Sequence, residues 1–147
     1  MSQINFELKE LKCREDIYRT YEIYRHCMYM PTEDKFKRKT NDFLGCGARF
    51  FTCSYQNNPG GVIAVSFAEN YGIEILGISV APSLRGKGIG SYMIKTIAEA
   101  YKPTYIYAET DKAAVDFYKK NGFTVTESVE TYGSKTIIRY KCELPVT

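Results

Sequence analysis

Polar and apolar residues alternate at the start of the chain, and "INFELKEL", residues 4–11, reads as a strand with one face for a core and one for water. The period then changes. Between Arg14 and Met30, Ile17, Tyr21, Tyr24 and Met28 recur at helical spacing and make one apolar stripe, which Pro31 ends. His26 lies about half a turn off that stripe, so it is expected to face solvent or a cleft. A shorter helix is predicted over "TEDKFKRKTNDFLG", with Thr32 as N-cap, acids in the first turn and Gly45 as the stop. "RFFTCSYQ" and "GVIAVSFAENY" read as an antiparallel hairpin turning at "NNPG", and "IEILGISV" as a fourth strand. Ile89 to Tyr101 is predicted helical, with Ile89, Met93, Ile97 and Ala100 on one side. "TYIYAE" is a fifth strand, and "KAAVDFYKK" a helix stopped by Asn121 and Gly122. "FTVTESVE" and "KTIIRYKCEL" close the chain as a hairpin around Tyr132 and Gly133.

The predicted order is β-α-α-β-β-β-α-β-α-β-β. Its central strand–helix–strand piece should be a right-handed parallel unit, with antiparallel hairpins on either side. The fold class is therefore α/β, a mixed sheet with helices on its faces. The 147 residues fit one domain, 1–147, able to bury a core unaided.

Composition narrows the classes. No run of about 18 apolar residues exists, so no membrane helix is expected. The polar start lacks the basic-then-apolar order of a secretory signal, which makes a cytoplasmic home the expectation. Five cysteines with no C-x-x-C pair indicate neither a disulfide framework nor a zinc site. They read as buried or half-buried thiols; a nucleophilic role would need a base, and His26 is the only histidine. A net charge of +3 is too mild for a nucleic-acid footprint. The cluster "KFKRK" follows Glu33 and Asp34 and reads as a solvated helix face. Neither nucleic acid, membrane nor metal is an expected partner; the chain is expected to be a monomer or a homodimer.

The chemistry gathers in "SVAPSLRGKGIGSYMIK", residues 79–95. Gly86, Gly88 and Gly90 precede or open a helix, flanked by Arg85, Lys87 and Lys95. A helix start offers unpaired N–H groups and a positive dipole end, and glycines let a phosphate approach them. The plain alternative is an ordinary glycine-rich turn. A P-loop would need Lys after its last glycine, where Ser91 stands. A dinucleotide fold fits poorly as well: its third glycine falls on Ser91, and too little chain follows Glu109 for further strand–helix units.

"ILGISVAPSLRGKGIGSYMIKTI" resembles the cofactor motif of the GNAT N-acetyltransferase superfamily: Ile78, Val80 and Pro82, then Arg85, Gly88 and Gly90, then a helix. "DKAAVDFYKKNGF" resembles that family's N-x-x-A-x-x-x-Y-x-x-x-G-F block at the right distance. The two motifs and the element order cover essentially the whole chain.

The resemblance implies an acetyl-CoA-binding core. Pantetheine would pair with the backbone of Ile78, Ser79 and Val80 in a gap between strands four and five. The diphosphate would sit on the N–H groups of Arg85, Gly86, Lys87, Gly88, Ile89, Gly90 and Ser91. Asp111 stands where the family often has asparagine and cannot supply an amide donor, which sets its cofactor contact apart from the family pattern. The Ile78 N–H would serve the oxyanion, with Gly77 fitting a bulge. Tyr118 resembles the family's general acid, against the reading of any helical tyrosine as core. Glu74, alternating with Ile73 and Ile75, is the candidate base, against a structural role facing a wet cleft. Some relatives place a glutamate on strand five, where this chain has Ile106. The implied activity is acetyl transfer from acetyl-CoA to a small-molecule or peptide amine; the rival is an acyl-CoA-binding module without turnover.

Overall fold

The structure is a computed structural model that describes residues 5–146; Ile4, the first residue of the expected opening strand, lies outside them. The described residues form one seven-stranded sheet in the order β1-β2-β3-β4-β5-β7-β6. The strands are β1 (Phe6–Leu11), β2 (Arg49–Tyr55), β3 (Asn58–Ala68), β4 (Gly72–Val80), β5 (Tyr105–Thr110), β6 (Thr124–Tyr132) and β7 (Lys135–Pro145). The helices are α1 (Arg14–Tyr18), α2 (Tyr21–Tyr24), α3 (Glu33–Gly45), α4 (Ile89–Tyr101) and α5 (Val115–Lys120). Neighbouring strands are antiparallel except β4 and β5, which are parallel and joined through α4. The α/β class and the mixed sheet are as the pattern predicts.

The boundaries differ from expectation in ways that have causes. The continuous helix expected from Arg14 to Met30 is broken after Tyr18. Thr20 turns its hydroxyl back onto the Ile17 carbonyl at 2.6 Å, while its own N–H bonds the same oxygen, and this local bonding competes with the helical ladder. The chain restarts as α2, tightens into a 3₁₀ turn over Arg25–Cys27, and leaves the helix at Met28. The β2–β3 hairpin turns at Gln56 and Asn57, both with positive φ, so the loop begins one residue before "NNPG" and includes only its first asparagine. A two-residue loop of that hand matches the strand twist. Pro59 and Gly60 therefore belong to β3, and Gly60 is the extra residue where the register slips between Cys53 and Ser54. Residues 69–71, expected as strand, form a 3₁₀ turn; residues 112–114, expected as helix, do likewise before α5.

Two cores lie on the two faces of the sheet. One packs α4 and α5 through Ile89, Met93, Ile94, Ile97 and Tyr118 onto Ile63, Ile73, Ile75 and Ile106. The stripe of α4 is thus 89/93/94/97, and Ala100, expected on it, is exposed. The other packs α1, α2 and α3 through Ile17, Tyr24 and Phe36 onto Phe50, Val62 and Ala64. Thr32 caps α3 by accepting from the Lys35 N–H at 3.1 Å, as its sequence position predicts.

Candidate active site

The site is built on a split in the sheet. β4 pairs with β5 over only three residues, Ile73, Glu74 and Ile75 opposite Ile106, Tyr107 and Ala108. Beyond them β5 continues along β7, while β4 continues along β3, and the edge of β4 from Leu76 to Val80 is left open. The cause of the divergence lies in β4. Ala64 pairs with Gly77 but Val65 with Ile75, so Leu76 is the extra residue of a bulge. Ile75 packs in the α4 core and Leu76 against the α1–α3 core, and Ile78 returns to the α4 side. Gly77 is required there for a second reason: a Cβ at this position would overlap the Tyr24 hydroxyl.

The glycine run lies just past the split. Pro82–Leu84 makes a 3₁₀ turn, and Ala81 N–H donates to the Gly60 carbonyl at 2.8 Å, which fastens the loop to β3. Gly86 and Gly88 have φ of +82° and +88°, with nothing within 4 Å of a notional Cβ. Gly88 is the N-cap of α4 and has no side chain with which to satisfy the first-turn N–H groups. Arg85, Lys87, Ser91 and Lys95 are all exposed around it. Gly90 is different: a Cβ there would lie 2.7 Å from Phe117, so this glycine makes room for α5.

Glu74 points away from Ile73 and Ile75, to the α1–α3 face, as alternation predicts. Burial raises its pKa above the ordinary carboxylate value, and the charge of Glu109 raises it further. Glu109 is the residue that sequence reasoning missed as part of the site. Ile106 and Ala108 of β5 are buried, so Tyr107 and Glu109 take the other face with Glu74. The Tyr107 hydroxyl donates to Glu109 Oε1 at 2.6 Å. The alternation in "YIYAE" carried that signal.

Tyr118 is 4% exposed, wedged against Phe117 and Phe123 with ring centroids 5.3 and 5.2 Å away. It is a core aromatic by packing. Its hydroxyl nevertheless takes no hydrogen-bond partner among the described residues, and it is not among the fully enclosed polar atoms, of which only Thr40 Oγ1 lacks a partner. Burial, followed by the nearby thiols Cys142 and Cys27, holds its pKa well above the usual phenol value. Ser79 is buried, and its hydroxyl donates to the Ile23 carbonyl at 2.6 Å, so only its backbone is available at the open edge. Asp111 is exposed and caps the turn after β5, its Oδ1 accepting from the Ala113 N–H at 3.0 Å. His26 is exposed. Among the described residues no group of three His, Cys, Asp or Glu side chains is placed to hold a metal ion, and no helix is long and apolar enough to cross a membrane.

A parallel strand pair that splits beside an uncapped glycine helix start, with a carboxylate at the split, is an arrangement that can hold an extended, phosphate-bearing ligand. Residues 17–123 match the model of the acetyltransferase (GNAT) family, and the chain belongs to that family. No curated protein matches it in sequence. Among solved structures it is similar to a GNAT-family protein from Desulfovibrio desulfuricans, with TM-score 0.76 and 15% identity over 97% of this chain and 100% of the other. It is also similar to the ribosomal-protein-S18-alanine N-acetyltransferase of Escherichia coli, with TM-score 0.74 and 14% identity over 97% and 95%. A third is a GNAT family acetyltransferase from Elizabethkingia anophelis with acetyl-CoA bound, with TM-score 0.72 and 16% identity over 97% and 99%. At these identities the likeness is one of fold.

Proposed function

We propose that the chain transfers an acetyl group from acetyl-CoA to a primary amine by direct attack. The observation that carries this reading is the open edge of β4 at Leu76–Val80, which leads into the glycine loop and the uncapped start of α4. An extended chain with amide groups, such as pantetheine, can pair with that edge as an added strand. Its diphosphate then meets the N–H groups at residues 85–91 and the positive end of α4. The family resemblance supports the same placement, as does the bound acetyl-CoA of the Elizabethkingia relative.

The residues divide the chemistry. A lysine-like amine, with pKa about 10.4, is mostly protonated at neutral pH and must lose a proton to attack. Once nitrogen has bonded to the carbonyl carbon it is far more acidic, and Glu74, with its pKa raised, accepts that proton. The Ile78 N–H meets the developing oxyanion. As the carbon–sulfur bond breaks, charge moves to sulfur. The Tyr118 phenol is a weaker acid than a thiol of pKa about 8.5, so full proton transfer from it is uphill. Its role is to donate a hydrogen bond to the departing thiolate.

The acceptor side is formed by the α2–α3 connection, where Tyr29 and Met30 stand 86% and 65% exposed. The test is release of free CoA thiol from acetyl-CoA across a panel of amines: peptide N-termini, lysine, polyamines and aminoglycosides. Amine-dependent release by the wild type supports an enzyme. A melting-temperature rise with acetyl-CoA but no release with any amine supports the binding module instead.

A further inference from the structure

A group outside both motifs reaches the same centre. Tyr24, the last residue of α2, is 3% exposed. Its ring is held by Phe36 and Phe50, with centroids 4.9 and 6.2 Å away, and its hydroxyl lies directly over Gly77 of the β4 bulge. The Ser79 hydroxyl, bonded to the Ile23 carbonyl, fastens the preceding residue to the same stretch of β4. The phenol therefore has one place to be, against the strand backbone one residue before Ile78.

Cys27 closes the 3₁₀ turn that packs on β4. Its thiol is near enough to the Ile78 N–H and the Tyr24 hydroxyl for each to draw its pKa down. Cys27 is exposed as a residue, yet desolvation of its thiol outweighs them and pushes the pKa up to about 11, so the thiol is neutral and a weak acceptor. Two donors, the Tyr24 hydroxyl over Gly77 and the N–H of the next residue, Ile78, thus stand on one short stretch of the β4 bulge. Pre-placed donors are what a developing oxyanion requires.

We propose that the Tyr24 hydroxyl and the Ile78 N–H together form the oxyanion-stabilising pair for the thioester carbonyl, with the Cys27 thiol beside them as a reporter of the site. The proposal rests on the acetyl-transfer reading above. As amine nitrogen bonds to the carbonyl carbon, the carbonyl π pair moves onto oxygen, where both donors share the charge. When the carbon–sulfur bond breaks, its electron pair leaves with sulfur and the oxygen pair returns to re-form the carbonyl. Tyr24 keeps its proton throughout: burial, then Cys27 and Tyr118, hold it well above the usual phenol range.

The test has two readouts on the full chain. Tyr24→Phe keeps the ring, so the melting-temperature rise with CoA should persist while kcat falls at least roughly tenfold, towards the about 10²–10³ typical of a lost oxyanion donor. The second readout needs no amine: alkylation of Cys27 by iodoacetamide, located by peptide mass to separate it from Cys13 and Cys46, which are exposed as it is. Acetyl-CoA should slow labelling of Cys27 more than S-ethyl-CoA, which has the same bulk but no carbonyl oxygen, and Tyr24→Phe should erase that difference. Equal protection by the two ligands, or wild-type kcat in Tyr24→Phe, overturns the proposal and leaves cofactor binding intact. Failure of either ligand to raise the melting temperature removes the acetyl-CoA reading, and this proposal with it.

Discussion

Tyr118 shows how one side chain can satisfy two demands. Its ring fills the core between Phe117 and Phe123, while its hydroxyl has no hydrogen-bond partner among the described residues. Tyr118→Phe should therefore fold and bind acetyl-CoA as the wild type does, yet lower kcat and kcat/KM together by roughly tenfold. Steady-state kinetics with a confirmed amine decides it, and an unchanged kcat would leave only the core role. Glu74 gives a prediction in pH. Its unprotonated form is the base, and burial and Glu109 both favour the protonated form, so the acid limb of kcat/KM should lie above the ordinary carboxylate range. Glu109→Gln removes the like charge and should move that limb to lower pH; Glu74→Gln should abolish it. The other groups on this face are Ser66 opposite Glu74, Tyr107 beside it, and Lys141 opposite Glu109. The direction Glu74 faces was legible, because alternation alone sets it. The role of Glu109 was not, because comparison with the family motif drew the eye to Ile106, which strand phase puts in the core.

At the scale of elements, the glycine loop separates into two functions that the motif runs together. Gly88 needs its left-handed backbone and borders open space; Gly90 needs the space that Phe117 fills. Gly88→Val should lose the melting-temperature rise with acetyl-CoA, because a branched side chain is strained at positive φ and blocks the approach to the helix start. Gly90→Ala should cost about 1–3 kcal/mol in urea unfolding through overpacking, and Phe117→Leu should recover part of it. A Gly90→Ala protein as stable as wild type would show that α5 can yield. Local chemistry of this sort is partly hidden in sequence. Spacing revealed the stripe from Ile17 to Met28, but a threonine hydroxyl returning to its own turn broke the helix that carries it. Likewise "NNPG" contains strong turn residues, yet the turn formed one residue earlier, where two left-handed residues match the twist of the hairpin.

Across the whole molecule, the sheet is two halves. β1 to β4 with α1–α3 form one, and β5, β7 and β6 with α5 form the other; α4 crosses between them. The parallel crossover from β4 through α4 to β5 is the one the sequence predicts; that β7 rather than β6 pairs with β5 was not legible there. Nor was the width of the opening, because it depends on a single unpaired residue, Leu76, whose position only pairing with β3 reveals. If acetyl-CoA pairs with the free edge, amide exchange within residues 76–80 should slow on its addition, while exchange in β6 should not change. Equal exchange at 76–80 with and without acetyl-CoA would place the cofactor elsewhere.

The three-residue joint between β4 and β5 also has a practical side. It is the shortest seam in the sheet, and a seam that short gives way first when the protein is warmed or stored. A molecule that stitches along the adjoining edge would work as a preservative as well as a reactant. Purified protein kept with CoA should then outlast protein kept without it, by a margin that grows with CoA concentration as mass action requires.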